Sequence, residues 1–267
     1  MINQIILVCD CMRTFFVVLA RDASVIDNKI RELEGMAFPY VIVCGEPVDL
    51  PNVVYRPPIG KFDAINFGLD SIPRDTDVVV FNDVDTKIHD FDNALRLLQN
   101  TMVSLVFAKV GVKRGPQVSF YALLDGLRRW IPIAASGELM VLRYDALRRI
   151  LPLKKCKSED SYISFKVLEQ GGRIAFCEDC CVETVRTASS EQEEGYKRRT
   201  TGGIYQALSM TKPPAIVRLF YTLLPFISPL LLLAGKKGYY WSKGILLGYI
   251  DYVRGDRAGA WKPNYES

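Results

Sequence analysis

The sequence predicts an α/β domain with a mostly parallel central sheet flanked by helices, followed by an apolar helical tail. Three observations predict this. Short apolar runs of strand type alternate with amphipathic stretches through the first 185 residues or so, the pattern of a parallel sheet covered on both faces. One such run, "VVVFNDVDTKIHD" at 78–90, ends in carboxylates one residue apart. Charge is also uneven: residues 1–196 carry −4, and the chain from Lys197 onward carries +8. A length of 267 residues with 49% hydrophobic content suits one large domain with appendages and excludes disorder.

In order, "QIILVCD" at 4–10 reads as the first strand and residues 15–35 as helical, ending at Gly35. "YVIVCGEP" at 40–47 is a second strand closed by Gly and Pro, and "NVVYRPP" at 52–58 a third. "IGKFDAINFGLDSIP" is an amphipathic helix that stops at Pro73. Residues 77–85 form the fourth strand, 102–110 another, and 138–151 a strand running into a helix. The helix expected over 158–172 has Ser158 at its N-cap, Glu159 and Asp160 in its first turn, and glycines at its end. A last strand-like run, 173–185, precedes the polar stretch 186–203. The chain shows no internal repeat.

In open α/β sheets, ligands bind beyond the carboxyl ends of the strands. The fourth strand brings Asn82, Asp83 and Asp85 to that edge, and on an extended segment Asp83 and Asp85 project to one side. Two carboxylates on one side make a hard oxygen site for Mg²⁺ or Mn²⁺, completed by substrate phosphates and water. Cys177, Cys180 and Cys181 are the only cysteine cluster among seven. They lack a second spaced pair and are read as structural, with His89, the sole histidine, too far away in sequence to complete a zinc site. An odd cysteine count without a secretory leader implies free thiols in a reducing compartment.

"LFYTLLPFISPLLLLA" at 219–234 has sixteen residues without a charge, short of the ~20 needed to span a bilayer, and Pro225 and Pro229 are expected to kink it. Arg218, Lys236, Lys237 and Lys243 flank it, with Tyr239, Tyr240 and Trp241, which is the mixture that settles at lipid headgroups. The tail 211–267 is therefore read as a monotopic or peripheral membrane segment behind a catalytic domain of 1–210. Nucleic acid is not expected as a partner, because no reading module accompanies the charge.

The order of these pieces resembles the family 2 glycosyltransferases, inverting enzymes of the GT-A fold, over roughly residues 1–210. Their Gly-Lys-x-x-Ala-x-Asn segment matches Gly60, Lys61, Ala64 and Asn66, and their metal motif matches Asp83 and Asp85. "ASGELMVLRYDALRRI" is similar to their acceptor segment, and their Glu-Asp pair falls on Glu159 and Asp160, the second acid being the catalytic base. A late Gln-x-x-Arg-Trp motif, anchored on Gly203, meets Tyr196, Arg199 and Thr200; the missing Gln and Trp argue against a processive synthase.

The resemblance implies an inverting transfer of a hexose from a nucleotide-diphosphate sugar. Asp85 would hold the ion, Asp83 the ion or the donor ribose, and Arg199, with Lys197 or Arg198, would close over the diphosphate. The donor base is expected around Cys9, Asp10, Gly45 and Glu46. Guanine presents two donors to such carboxylates where uracil presents one, a lean to GDP-mannose over UDP-glucose. The tail points to a lipid or polyprenyl-linked acceptor at the cytoplasmic face of the membrane. Three alternatives have less sequence behind them. An inactive scaffold would show degraded acids. A metal-dependent phosphohydrolase would cleave nucleotide sugars without acceptor. A nucleotidyltransferase would need a glycine-rich loop where this chain has "CDCMRT".

Overall fold

The computed structural model describes residues 12–112, 118–133, 135–185 and 189–255. The strands are Thr14–Ala20 (β1), Tyr40–Cys44 (β2), Val53–Tyr55 (β3), Val78–Asp83 (β4), Lys87–His89 (β5), Val103–Val112 (β6), Leu139–Arg143 (β7) and Arg173–Thr184 (β8). Between them lie helices Ile26–Met36 (α1), Lys61–Leu69 (α2), Phe91–Leu98 (α3), Val118–Arg128 (α4), Tyr144–Arg148 (α5) and Glu159–Glu169 (α6). Then follow Ser190–Ser209 (α7), Ala215–Ile227 (α8), a 3₁₀ segment Ser228–Ala234, and Gly235–Val253 (α9).

All eight described strands join one sheet in the order β3-β2-β1-β4-β7-β6-β8-β5. The pairings of β1 with β2 and β4, of β2 with β3 and of β6 with β8 are parallel, as expected. Strand β7 runs antiparallel between β4 and β6, and β5 caps the far edge antiparallel to β8. The inserted β7 is what returns the chain to the carboxyl end of β4, so that residues just before it stand beside Asp83.

The structure corrects one element. Residues 15–20 are not the start of a helix but most of β1, whose seven residues are all buried. Phe15, Val17 and Leu19 pack on one face with α2, α6 and α7, while Phe16, Val18 and Ala20 pack on the other with α1 and α3. A strand buried on both faces has no polar alternation, so periodicity alone cannot separate it from a buried helix. The strand expected at 4–10 lies outside the described residues.

In the tail, α8 buries Val217, Tyr221 and Pro225, and Ser228 continues that face one turn on; Ile216, Leu219, Leu223 and Phe226 face outward. Pro225 lies inside α8, which continues past it to Ile227, and Pro229 stands at the start of the 3₁₀ segment that follows. By length and composition, the 39 residues Ala215–Val253 include an 18-residue window of mean hydropathy 1.9, apolar enough to cross a membrane.

Candidate active site

At the end of β4 the backbone alternation separates Asn82 from Asp83. Asn82 points into the layer beneath and is buried. Its Oδ1 accepts from Lys29 Nζ at 2.8 Å, while its Nδ2 donates to Thr86 Oγ1 at 2.8 Å and to the Glu138 carbonyl at 2.6 Å. Lys29, 1% exposed, also donates to Glu32 and to the Thr86 carbonyl, each at 2.6 Å. Burial lowers the pKa of this ammonium against the nearby acids, yet every donor it uses is satisfied. The network fixes the Asp83–Thr86 turn from behind, with Thr86 Oγ1 donating to the Asp83 carbonyl at 2.7 Å.

Asp83 points to the opposite side and meets Lys61, the first residue of α2, at 2.8 Å; Lys61 Nζ also lies 3.2 Å from Glu159 Oε1. Gly60, before Lys61, has φ +156°, a conformation that favours glycine. Burial raises the Asp83 carboxyl to about 6, helped by the charges of Glu138 and Asp85 and opposed by Lys61. Burial also raises Glu159. On Lys61 burial acts downward, but Asp83, Glu159 and Asp160 outweigh it and hold the ammonium well above the usual lysine value. One cation thus bridges the strand carrying the Asp-x-Asp motif and the helix carrying the Glu-Asp pair.

Asp160 sits in the first turn of α6. Its Oδ1 accepts from Ser158 Oγ at 2.5 Å and from the Ser161 backbone N–H at 2.6 Å. Ser158 occupies the N-cap position but orients this carboxylate instead of capping a backbone N–H. A Cβ added at Gly137 would lie 3.3 Å from Asp160 Oδ2, so the small residue keeps the space before that oxygen open.

No family model matches the sequence, and no curated protein does. Solved structures do match. The mannosyltransferase PcManGT from Pyrobaculum calidifontis, in complex with GDP-Man and Mn²⁺, aligns over 92% of this chain and 88% of its own, with TM-score 0.68 and 17% identity. GalNAc-T7 with UDP, GalNAc and Mn²⁺ aligns over 92% of this chain and 56% of its own, with TM-score 0.53 and 11% identity. The chain has the GT-A fold.

On the GT-A frame, Gly60, Lys61, Asp83, Glu159 and Asp160 come together at the carboxyl edge of β4. Val84 and Asp85 form a turn after β4 and not the extended segment expected, so strand alternation does not set Asp85 beside Asp83. Asp85 is exposed and lines a cavity of about 370 Å³ with Lys29, Val84, Lys87, Glu183 and Thr184, among others. Among the described residues no group of three or more His, Cys, Asp or Glu forms a metal cage. Two carboxylates of this kind fit Mg²⁺ or Mn²⁺ only when donor phosphates and water complete the shell.

Glu46 stands at the end of β2, exposed, its Oε2 accepting from the Ala23 N–H at 3.3 Å. Cys9 and Asp10 lie outside the described residues; the first described strand, β1, ends at Ala20 and is followed by Arg21 and Asp22. Of the three α7 cations, two are turned to the tail. Lys197 Nζ lies 3.8 Å from the Trp241 ring centroid and 4.9 Å from that of Tyr121, and Arg198 pairs with Asp251 at 2.5 and 2.8 Å. Only Arg199, whose guanidinium lies over the Tyr196 ring, is on the face one turn before Gly203, where α7 meets Ser158.

Glu138 escaped the sequence reading. Its charge acts on Asp83, its carboxylate accepts from Ser136 Oγ, and its carbonyl accepts from the Asp83 N–H at 3.3 Å. Its place just before a strand, beside Gly137, was the available signal. Described cysteines are free thiols, and Cys177 and Cys180 are core residues.

Proposed function

We propose that this chain is an inverting, family 2-like glycosyltransferase that moves a hexose, from GDP-mannose or otherwise UDP-glucose, to a lipid or polyprenyl-linked acceptor at the cytoplasmic membrane surface. The observation that carries the reading is the Asp83–Lys61–Glu159 bridge, which sets the Asp-x-Asp turn beside the Asp160 carboxylate. The donor lean is supported by the GDP-Man named with PcManGT.

A divalent ion held by Asp85 and Asp83 would neutralise charge developing on the departing diphosphate. Lys61 and Arg199 supply further cationic stabilisation to the phosphates. Asp160 takes the proton of the acceptor hydroxyl, its Oδ1 fixed by Ser158 and Ser161 so that Oδ2 faces the acceptor. Attack from the face opposite the leaving group inverts the anomeric carbon. Glu159, paired with Lys61, keeps that lysine oriented.

The membrane side rests on Phe226, Leu230 and Leu233, which are 73%, 67% and 90% exposed. Such a contiguous apolar outer face is costly in water and favourable at a lipid interface. Of the headgroup set, Lys236 and Lys243 pair with Glu191 and Glu194 while staying 73% and 42% exposed, Arg218, Lys237 and Tyr239 are exposed as well, and Trp241 alone is buried, against Phe120.

The test is a thermal-shift panel of UDP-glucose, UDP-N-acetylglucosamine and GDP-mannose, each with Mn²⁺ and with EDTA. A donor at ~100 times its dissociation constant adds about 2.7 kcal/mol to the folded state. A Mn²⁺-dependent shift with GDP-mannose is expected; no shift with any donor would overturn the assignment.

A further inference from the structure

The seam between α7 and α9 is the most extensive helix–helix contact among the described elements, and it bears on chemistry. Along it the two helices run parallel: Lys236 meets Glu191, Lys243 meets Glu194, and Asp251 meets Arg198. Two glycines of α9 bring the backbones together. A Cβ at Gly244 would lie 2.7 Å from the Glu194 carbonyl oxygen and 2.8 Å from Lys197 Cβ. At Gly248 it would collide with the Arg198 carbonyl and lie 2.8 Å from Thr201 Cβ. Farther along, Tyr205 of α7 contacts the rings of Tyr249 and Tyr252.

Helix α7 turns its other side to the candidate catalytic corner. A Cβ at Gly203 would lie 2.8 Å from Ser158 Cβ and 3.0 Å from its backbone nitrogen, and Gln206 Oε1 accepts from the Lys157 N–H at 3.0 Å. Ser158 is the residue whose hydroxyl holds Asp160. So α7 is pressed between α9 and the start of α6, and it carries Arg199 on the α6 side. A few tenths of an ångström of movement at Gly248 has no slack to absorb it, because each contact is backbone against backbone or Cβ.

We infer that α9 is a positioning element of the active site: through Gly244, Gly248 and the Arg198–Asp251 pair it sets α7, and α7 sets Ser158, Asp160 and Arg199. The inference rests on the transferase reading given above. It assigns positioning roles to Gly248, Arg198 and Asp251, which lie on the seam between α7 and α9, and gives the tail a part in shaping the site as well as the proposed lipid contact.

The test uses the full-length chain on vesicles containing anionic lipid and polyprenyl phosphate, with GDP-mannose and Mn²⁺. The variants are Gly248→Ala, Arg198→Asp and the exchanged pair Arg198→Asp/Asp251→Arg. Misplacement of remote groups by an ångström can cost up to about a hundredfold in rate, so a fall in kcat of tenfold or more is expected for both single variants. Donor KM should stay within about threefold and vesicle flotation should be unchanged, while the exchanged pair regains most of the lost rate. Undiminished kcat in both single variants overturns the inference, as does a loss the exchanged pair fails to restore. If the unaltered chain transfers nothing, the function reading fails separately. Hydrogen exchange at residues 157–162 then decides: faster in Arg198→Asp and recovered in the exchanged pair supports the inference, and no change overturns it.

Discussion

Around the end of β4, Asp83, Glu159 and Lys61 carry charge into the interior; along α8 and the 3₁₀ segment, Leu219, Phe226, Leu230 and Leu233 carry apolar surface out into water. Each region costs stability in the isolated chain, for opposite reasons. Half-buried and buried carboxylates lose hydration that a single lysine only partly replaces. Exposed leucines and phenylalanine forgo the gain of burial. The contrast matches the two different occupants proposed above, cation and phosphate at the first surface and hydrocarbon at the second.

The sharpest break of that comparison is at Asp160. General-base catalysis contributes about 10²–10⁴-fold, so Asp160→Asn should lower transfer by roughly that factor while calorimetry still detects GDP-mannose with Mn²⁺. Unchanged transfer would remove Asp160 as the base.

Next in size is the apolar face. Phe226→Asp with Leu233→Asp removes two side chains whose burial in lipid is each worth about 1.5–3 kcal/mol, so flotation with vesicles should fall by roughly a hundredfold or more. Because both are exposed, thermal stability without lipid should change by no more than about 0.5 kcal/mol. Flotation that persists would assign membrane contact elsewhere.

Replacing the bridging cation tests the other side. Lys61→Met strands Asp83 and Glu159 without their counter-charge; allowing for the partial exposure of Lys61, we expect a loss of about 2 kcal/mol in urea unfolding at pH 7. The loss should shrink near pH 5, where Asp83, raised to about 6, is largely protonated.

The smallest effect is the pH dependence of the ion. Asp83 has a folded pKa above its unfolded value, so its proton favours the folded state at low pH and that contribution disappears as pH rises through about 6. An ion needs the carboxylate. Mn²⁺ affinity, followed by the paramagnetic resonance of free Mn²⁺, should therefore plateau above pH 6 and fall by up to about tenfold per unit below it. A flat profile down to pH 5 would exclude Asp83 as a ligand.

Much of the site was legible because its signals are local. An apolar run ending in Asp83 and Asp85, a Gly-Lys opening α2, and a Ser-Glu-Asp opening α6 each span a few residues whose backbone state dictates where the side chains go. The first strand was not legible, since burial on both faces erased its alternation. Nor was the division of labour among Lys197, Arg198 and Arg199, three adjacent cations of one sign.

By itself, then, the sequence determined the α/β class, the carboxylates at the end of β4 and the acids at the start of α6, because strand and helix periodicity and capping act over one or two turns. Only the tertiary structure decided that Lys61 joins those two acidic sets, that Lys29 backs the Asp83–Thr86 turn from 53 residues before Asn82, and that Arg198 belongs to Asp251, 53 residues after it. Such pairings depend on how elements distant in the chain stack across the sheet and along α7, and side-chain spacing within one element carries no record of its neighbour.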